Sequence, residues 1–191
     1  MNTEDKTGYR ENDIGNYNEA VIGGGCFWGM EAVFELLKGV ESVESGYAGG
    51  TVENPTYEEV SAGATGHAEV IRIKYDPEVI SCRKLLEVFF YMHDPTTKDR
   101  QGNDRGSQYR SIILYGSESQ EQIAMELIEE LEESNVYSGP IVTEIKPLYV
   151  FYPAEDYHQD YFGCNEGNSY CQQAIVPKLD KLKERFGDIL K

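Results

Sequence analysis

The chain has no C-x-x-C pair, and its 191 residues hold only four cysteines, three histidines and one tryptophan. Without paired cysteines, the usual zinc ribbon and the thioredoxin-type dithiol are excluded. Long apolar runs are also missing, and none approaches the roughly 20 residues of a spanning helix. The start, Met1-Asn2-Thr3-Glu4-Asp5-Lys6, lacks the charged-then-apolar pattern of a secretory signal. A cytoplasmic location without a membrane partner is therefore expected. Basic residues are scarce: 17 Lys and Arg against 34 Asp and Glu leave a net charge of -17. Such a surface repels phosphate backbones, which argues against nucleic acid as a partner. In a reducing compartment, Cys26, Cys82, Cys164 and Cys171 point to reactive thiols and not to a disulfide framework.

What is present is the composition of an ordinary globular domain, 40% hydrophobic and 27% charged. Residues 1–19 are polar and without an apolar period, and read as a flexible arm on which Tyr9, Ile14 and Tyr17 could dock. Residues 20–191 read as one domain. Ala20-Val21-Ile22 predicts a strand, and Met30, Val33, Phe34 and Leu37 recur at helical spacing. A turn and strand follow over 39–47, an alternating strand over 68–75, and a helix capped by Ser81 that carries Leu85, Leu86, Phe89 and Phe90. Tyr109 to Tyr115 predicts a strand. Ser117 and Gln120 form a capping box for a helix reaching about Ser134. Val142 to Tyr152 is β-rich, with Pro147 favouring an edge, and shorter helices are expected near 154–162 and 177–186. Together these predict an α+β sandwich, helices packed on a mixed or antiparallel sheet. Two polar stretches, 48–65 and 93–108, are left as loops longer than the ~12 residues usual in compact domains, and such loops are often functional.

The most telling segment is Gly23-Gly24-Gly25-Cys26-Phe27-Trp28-Gly29. It places Cys26 on a tight strand-to-helix turn at the positive end of a helix, where a thiol is biased toward the nucleophilic thiolate. Bare glycines would let a substrate approach, and Phe27 and Trp28 would wall it with apolar surface. The two loops bring Tyr57, Glu69, Asp104 and Tyr109 within reach of such a site. Taken singly, each has an ordinary explanation: tyrosines pack, a glutamate at a strand start is solvated, and an aspartate in a Gly/Asn loop makes a turn. His67, His93 and His158 are available as partners for a cysteine nucleophile.

Gly25-Cys26-Phe27-Trp28-Gly29 resembles the signature of the A-type peptide methionine sulfoxide reductases. The resemblance continues in family order through Gly46-Tyr47-Ala48-Gly49-Gly50, Asn54-Pro55-Thr56-Tyr57, Thr65-Gly66-His67-Ala68-Glu69 and His93-Asp94-Pro95. It runs on through Gln101-Gly102-Asn103-Asp104, Gln108-Tyr109-Arg110-Ser111 and Ala154-Glu155-Asp156-Tyr157-His158-Gln159. It implies a two-layer α/β sandwich related to the ferredoxin-like arrangement. It also implies reduction of the S epimer of methionine sulfoxide, free or protein-bound. The reductant would be thioredoxin, or dithiothreitol in its place, with no bound cofactor or metal, and nothing demands more than a monomer.

The resemblance puts the nucleophile on Cys26 and the methyl-binding wall on Phe27 and Trp28. The groups that polarise the sulfoxide oxygen fall on Tyr57, Glu69 and Tyr109, with Asp104 as a polar anchor beside them. Cys171, in the Tyr170-Cys171 pair, falls on the resolving thiol, carried by a Gly/Asn-rich tail flexible enough to reach Cys26. Cys164 departs from the pattern and is left as either a bystander or a second recycling thiol; Cys82 matches no role. A cysteine hydrolase, a cysteine phosphatase, a thiol peroxidase and a metal or redox-sensing module built from His158, Cys164 and Cys171 are the competing classes.

Overall fold

The computed structural model describes residues 18–191. Its first strand, β1 (Asn18–Gly23), starts two residues before the apolar run because Asn18 and Glu19 pair with Tyr75 and Lys74. Residues 1–17, which carry the expected docking contacts of Tyr9, Ile14 and Tyr17, lie outside the described residues.

After β1 come α1 (Phe27–Phe34), β2 (Val40–Ala48), α2 (Tyr57–Ser61), β3 (Ala68–Tyr75) and α3 (Cys82–Met92). A small hairpin of β4 (Arg100–Gln101) and β5 (Asp104–Arg105) precedes β6 (Ile112–Tyr115) and α4 (Glu118–Glu133). The chain ends through β7 (Glu144–Pro147), β8 (Phe151–Pro153), α5 (Tyr161–Cys164) and α6 (Val176–Phe186).

The main sheet runs β7-β6-β1-β3-β2-β8, antiparallel throughout except for the parallel β6/β7 pair. The expected α+β architecture with a mixed sheet is thus what forms. Strand alternation decides which residues meet the helices. Ile22, Ile71, Ile73 and Ile113 join residues of α1, α3, α4 and α6 in the principal core. Residues of the other parity, Val21, Val70, Ile112 and Leu114, form a second cluster with Ala48 and Ala68, partly covered by Leu148 and Phe151. Leu85, Phe89 and Phe90 of α3 are fully buried, and each such side chain contributes about 1.5–3 kcal/mol by leaving water.

Five local expectations are refined. The 48–65 stretch is not all loop: Thr56 and Glu59 form a reciprocal capping box that starts α2 at Tyr57. The β-rich stretch over 142–152 splits into two strands on opposite edges of the sheet, with Pro147 on the outer strand β7, where its missing N–H costs no ladder bond. Ser117 Oγ accepts the Gln120 N–H, but the Gln120 side chain accepts from Gly116 and not from Ser117, so the box is offset by one residue. Residues 154–162 form a short 3₁₀ turn at Asp156–His158 and the start of α5 instead of one helix. The 93–108 loop contains the β4/β5 hairpin and a 3₁₀ turn at Ser107–Tyr109, which together lift Asp104 and Tyr109 toward the end of β1.

Candidate active site

Gly23 ends β1 directly against β3: a Cβ there would stand 2.5 Å from the Glu69 carbonyl oxygen. Gly25 adopts φ +102°, a conformation that favours glycine, with Gln101 filling the space a side chain would need. The glycines expected to open the turn to substrate instead let protein groups close on it. The turn delivers Cys26 as the N-cap residue of α1, only 8% exposed.

This burial overturns the expected thiolate bias. Desolvation pushes the Cys26 thiol above its ordinary range, and the nearby Glu69 and Asp104 charges push it further. The Tyr170 hydroxyl and the Trp28 backbone N–H act in the opposite direction but do not win. A helix terminus is a fractional charge, and burial beside a carboxyl outweighs it.

Glu69 is not the solvated strand-start residue that its position alone suggests. It points from β3 to the helix side of the sheet and is 2% exposed. The Phe27 backbone N–H donates to its Oε2 at 3.0 Å, tying the carboxyl to the first turn of α1. Burial raises the carboxyl to about 8, with the Asp104 charge adding to the effect while the Phe27 N–H and the Cys26 thiol oppose it. At neutral pH the group holds its proton.

Tyr57 at the start of α2 and Tyr109 at the end of its 3₁₀ turn close the same space. Burial raises both phenols, and the charges of Glu69 and Cys26 raise them further, which places all four groups in one electrostatic cluster. The hairpin brings Asp104 to this cluster, where its Oδ2 accepts the Tyr170 hydroxyl at 3.1 Å.

The two aromatics after Cys26 differ in placement. Phe27, at 1% exposure, lies behind the site among Trp28, Tyr47 and His158 and lines no open surface. Trp28 is the partly exposed one. Tyr161 stacks on it with ring centroids 3.6 Å apart and an interplanar angle of 7°, and Tyr170 meets it edge-on at 5.7 Å. Its indole N–H donates to His158 Nδ1 at 3.0 Å.

Two of the histidines are committed elsewhere, and His158 is held by Trp28. His67 accepts from the Gly50 N–H and lies 2.8 Å from the Val52 carbonyl; His93 bridges the Phe89 carbonyl and Ser111 Oγ. No described histidine is hydrogen-bonded to Cys26, so the Cys–His arrangement of a cysteine hydrolase is absent from the described residues. Tyr161 and Tyr170 are the site residues that the sequence reading left unassigned. Their only signal was position, since Tyr170 directly precedes Cys171.

Cys171 does not sit in a flexible tail. It opens a π-helical turn, Cys171–Ile175, that leads into α6, and it is fully buried. Cys164, the last residue of α5, is exposed. Cys82 is half-buried at the start of α3, hydrogen-bonded with Tyr75, away from this cluster.

The arrangement offers a soft nucleophile, a neutral buried acid and two phenol donors around one small space, the requirements for activating and reducing a sulfoxide. Comparison with known proteins agrees. The peptide methionine sulfoxide reductase family model matches residues 18–189. The peptide methionine sulfoxide reductase MsrA of Saccharolobus solfataricus is 54% identical over 172 residues, covering 90% of this chain and 96% of that one. Reduced Mxr1 from Saccharomyces cerevisiae superposes with a TM-score of 0.76 at 34% identity, covering 81% of this chain and 89% of that one. Mxr1 in complex with Trx2 gives a TM-score of 0.56 at 26% identity, covering 81% and 91%. The chain belongs to the peptide methionine sulfoxide reductase family.

Proposed function

We propose that Cys26 attacks the sulfur of an S-epimer methionine sulfoxide while Glu69 protonates the sulfoxide oxygen and Tyr57 and Tyr109 hold it by hydrogen bonds. The observation that carries this assignment is the buried Glu69 carboxyl, raised to about 8 and fixed by the Phe27 N–H one residue beyond Cys26. A sulfoxide sulfur is a poor electrophile until its oxygen is protonated or strongly hydrogen-bonded, and a carboxyl that is neutral at pH 7 can give that proton. Keeping Glu69 neutral also removes the charge that most opposes ionisation of Cys26 after burial itself. The two phenols stabilise the charge that develops on oxygen. Trp28 forms the surface for the substrate methyl group, with Phe27 as its support, and Asp104 is the polar anchor.

The sulfoxide and the Cys26 thiol become methionine and a Cys26 sulfenic acid, with one oxygen atom transferred and Cys26 oxidised by two electrons. The Cys171 thiol then displaces water from the sulfenic acid to form a Cys26–Cys171 disulfide. Burial of Cys171 means that its π turn must open for this step, and such π turns recur at functional sites. Thioredoxin returns both thiols to the reduced state by taking the disulfide onto its own dithiol, a role supported by the relative solved with Trx2. Cys164 is exposed and remains the second thiol available for that exchange. The chemistry requires no bound cofactor, and we place the enzyme in the cytoplasm as a monomer.

An epimer-resolved assay with dithiothreitol tests the reading. The S epimer should be consumed and the R epimer spared, because one apolar wall and one set of oxygen donors define a chiral site. Equal loss of both epimers would contradict it.

A further inference from the structure

Lys178 is the third residue of α6, which runs on without a break from the π turn Cys171–Ile175. Its side chain crosses to α1 and ends over Gly29 in the first turn of that helix: the ammonium Nζ lies 3.4 Å, and Cδ 3.7 Å, from where a Cβ of Gly29 would stand. A cation at a helix N-terminus is unfavourable, and this one faces that of α1. It is partly buried, and among the described residues no carboxylate lies within ion-pair distance of it. The lysine is held where a positive charge is worst placed, unless a negative charge appears beside it.

The groups around it identify that charge. Cys26 caps the helix over which Lys178 lies. Asp104 faces it from β5, its carboxylate already bonded by the Tyr170 hydroxyl. His93, buried at the end of α3 and kept neutral in part by Lys178, and Lys181, one turn further along α6, are the other groups that feel it, and the Lys181 charge opposes a second cation. Burial lowers Lys178 below the ordinary lysine range, the Lys181 charge lowers it further, and Cys26 and Asp104 hold it up. From the other side, Cys26 is surrounded by groups that resist its ionisation, Glu69 on β3 and Asp104 on β5, with the neutral phenols Tyr57 and Tyr109 nearby and Tyr170 as the side-chain donor.

We infer that Lys178 is the electrostatic counterpart of Cys26, a positioning residue whose ammonium stabilises the negative charge that Cys26 must carry to attack the sulfoxide. Gly29 serves the same arrangement, since a side chain there would stand in contact with the ammonium and shield it from the first turn of α1. The inference rests on Cys26 as the nucleophile, but it concerns ionisation of the thiol and not turnover.

It is tested on the full-length reduced protein by iodoacetamide alkylation of the Cys26 peptide, followed by mass spectrometry across pH, so that no sulfoxide is needed. Lys178→Met should move the midpoint of the Cys26 profile upward by about one to three pH units, slowing alkylation at fixed pH below the midpoint by about tenfold or more. Lys178→Arg, which keeps the charge, should leave the midpoint near that of the wild type. Superimposable midpoints for Lys178→Met and wild type would overturn the proposal, as would Lys178→Arg shifting like Lys178→Met. A uniform loss of rate at every pH with an unchanged midpoint would mean packing and not charge, and would also overturn it. A second measurement leaves Lys178 in place. By reciprocity, the Lys178 ammonium titration followed by NMR should fall to lower pH in Cys26→Ser. An unchanged titration contradicts the coupling. If Cys26→Ser retained sulfoxide reduction, the assignment of the nucleophile would fail instead, whatever Lys178 does.

Discussion

The Phe27 backbone N–H donates to Glu69 Oε2 at 3.0 Å, joining the residue after Cys26 to a carboxyl on the central strand β3. The bond fixes two things at once. It orients the acid toward Cys26, and it accepts part of the burden of burying a carboxyl. It does not win against burial, since the carboxyl still rises to about 8. The same desolvation that makes Cys26 a reluctant thiolate keeps the Glu69 carboxyl protonated at neutral pH.

The first prediction follows from that proton. Glu69→Gln keeps the shape and a hydrogen-bond donor but cannot release a proton. Single-turnover methionine release should fall by about 10²–10⁴-fold, the usual range for a general acid. In the wild type the same rate should decline as pH rises through about 8, where Glu69 loses its proton, and that decline should vanish in the variant. Equal single-turnover rates for the two proteins would assign the proton to another group.

Stability should respond as well. The folded state holds the Glu69 proton up to about 8, against 4.5 for an unperturbed carboxyl, so the folded form binds the proton more tightly. The contribution of Glu69 is therefore most favourable below about 4.5 and is lost progressively as pH rises to about 8. Replacing it with glutamine removes that loss. The Tm of Glu69→Gln minus that of the wild type should grow across this window; a constant difference would mean that Glu69 titrates in the fold as it does in the unfolded chain.

Much of this was legible in the sequence. Alternation placed β3, the spacing of Leu85, Leu86, Phe89 and Phe90 placed α3, and the Gly-rich turn placed Cys26 at a helix start, because each signal is local. What was not legible depends on burial by distant segments. The helix end suggests a thiolate at Cys26, yet burial beside the Glu69 carboxyl on β3 reverses it. Glycine and asparagine over 163–168 suggest mobility, yet the next residues turn Cys171 into the core. Strand parity at Glu69 could be counted, but its face could be called buried only once α1 was known to cover it.

The glycine turn gives a further prediction. Gly23→Ala would place a methyl 2.5 Å from the Glu69 carbonyl oxygen and force β1 and β3 apart. It should destabilise the protein by about 1–3 kcal/mol, the cost of overpacking a tight site, and lower activity by displacing Glu69. Gly167→Ala, with nothing within 4 Å of the new methyl, should stay within about 0.5 kcal/mol of wild type in the same denaturation series.

Recycling separates from reduction. Cys171→Ser should release about one methionine per enzyme and then stall with thioredoxin, because resolution follows methionine release. Dithiothreitol should restore at least part of the cycle. Normal thioredoxin-driven turnover in this variant would remove Cys171 from the pathway. Cys164→Ser should turn over with thioredoxin like the wild type if Cys164 is a bystander; a stall after one cycle would make it the relay.

The most direct measurement is the fate of the oxygen atom. Reduced Cys171→Ser is mixed with one equivalent of S-epimer methionine sulfoxide without reductant, and peptides and free methionine are quantified together. The Cys26 peptide should gain one oxygen, trapped as a sulfenic acid adduct, in step with the methionine released. Methionine released while Cys26 stays unoxidised, or oxygen found on Cys82 or Cys164 instead, would contradict the account.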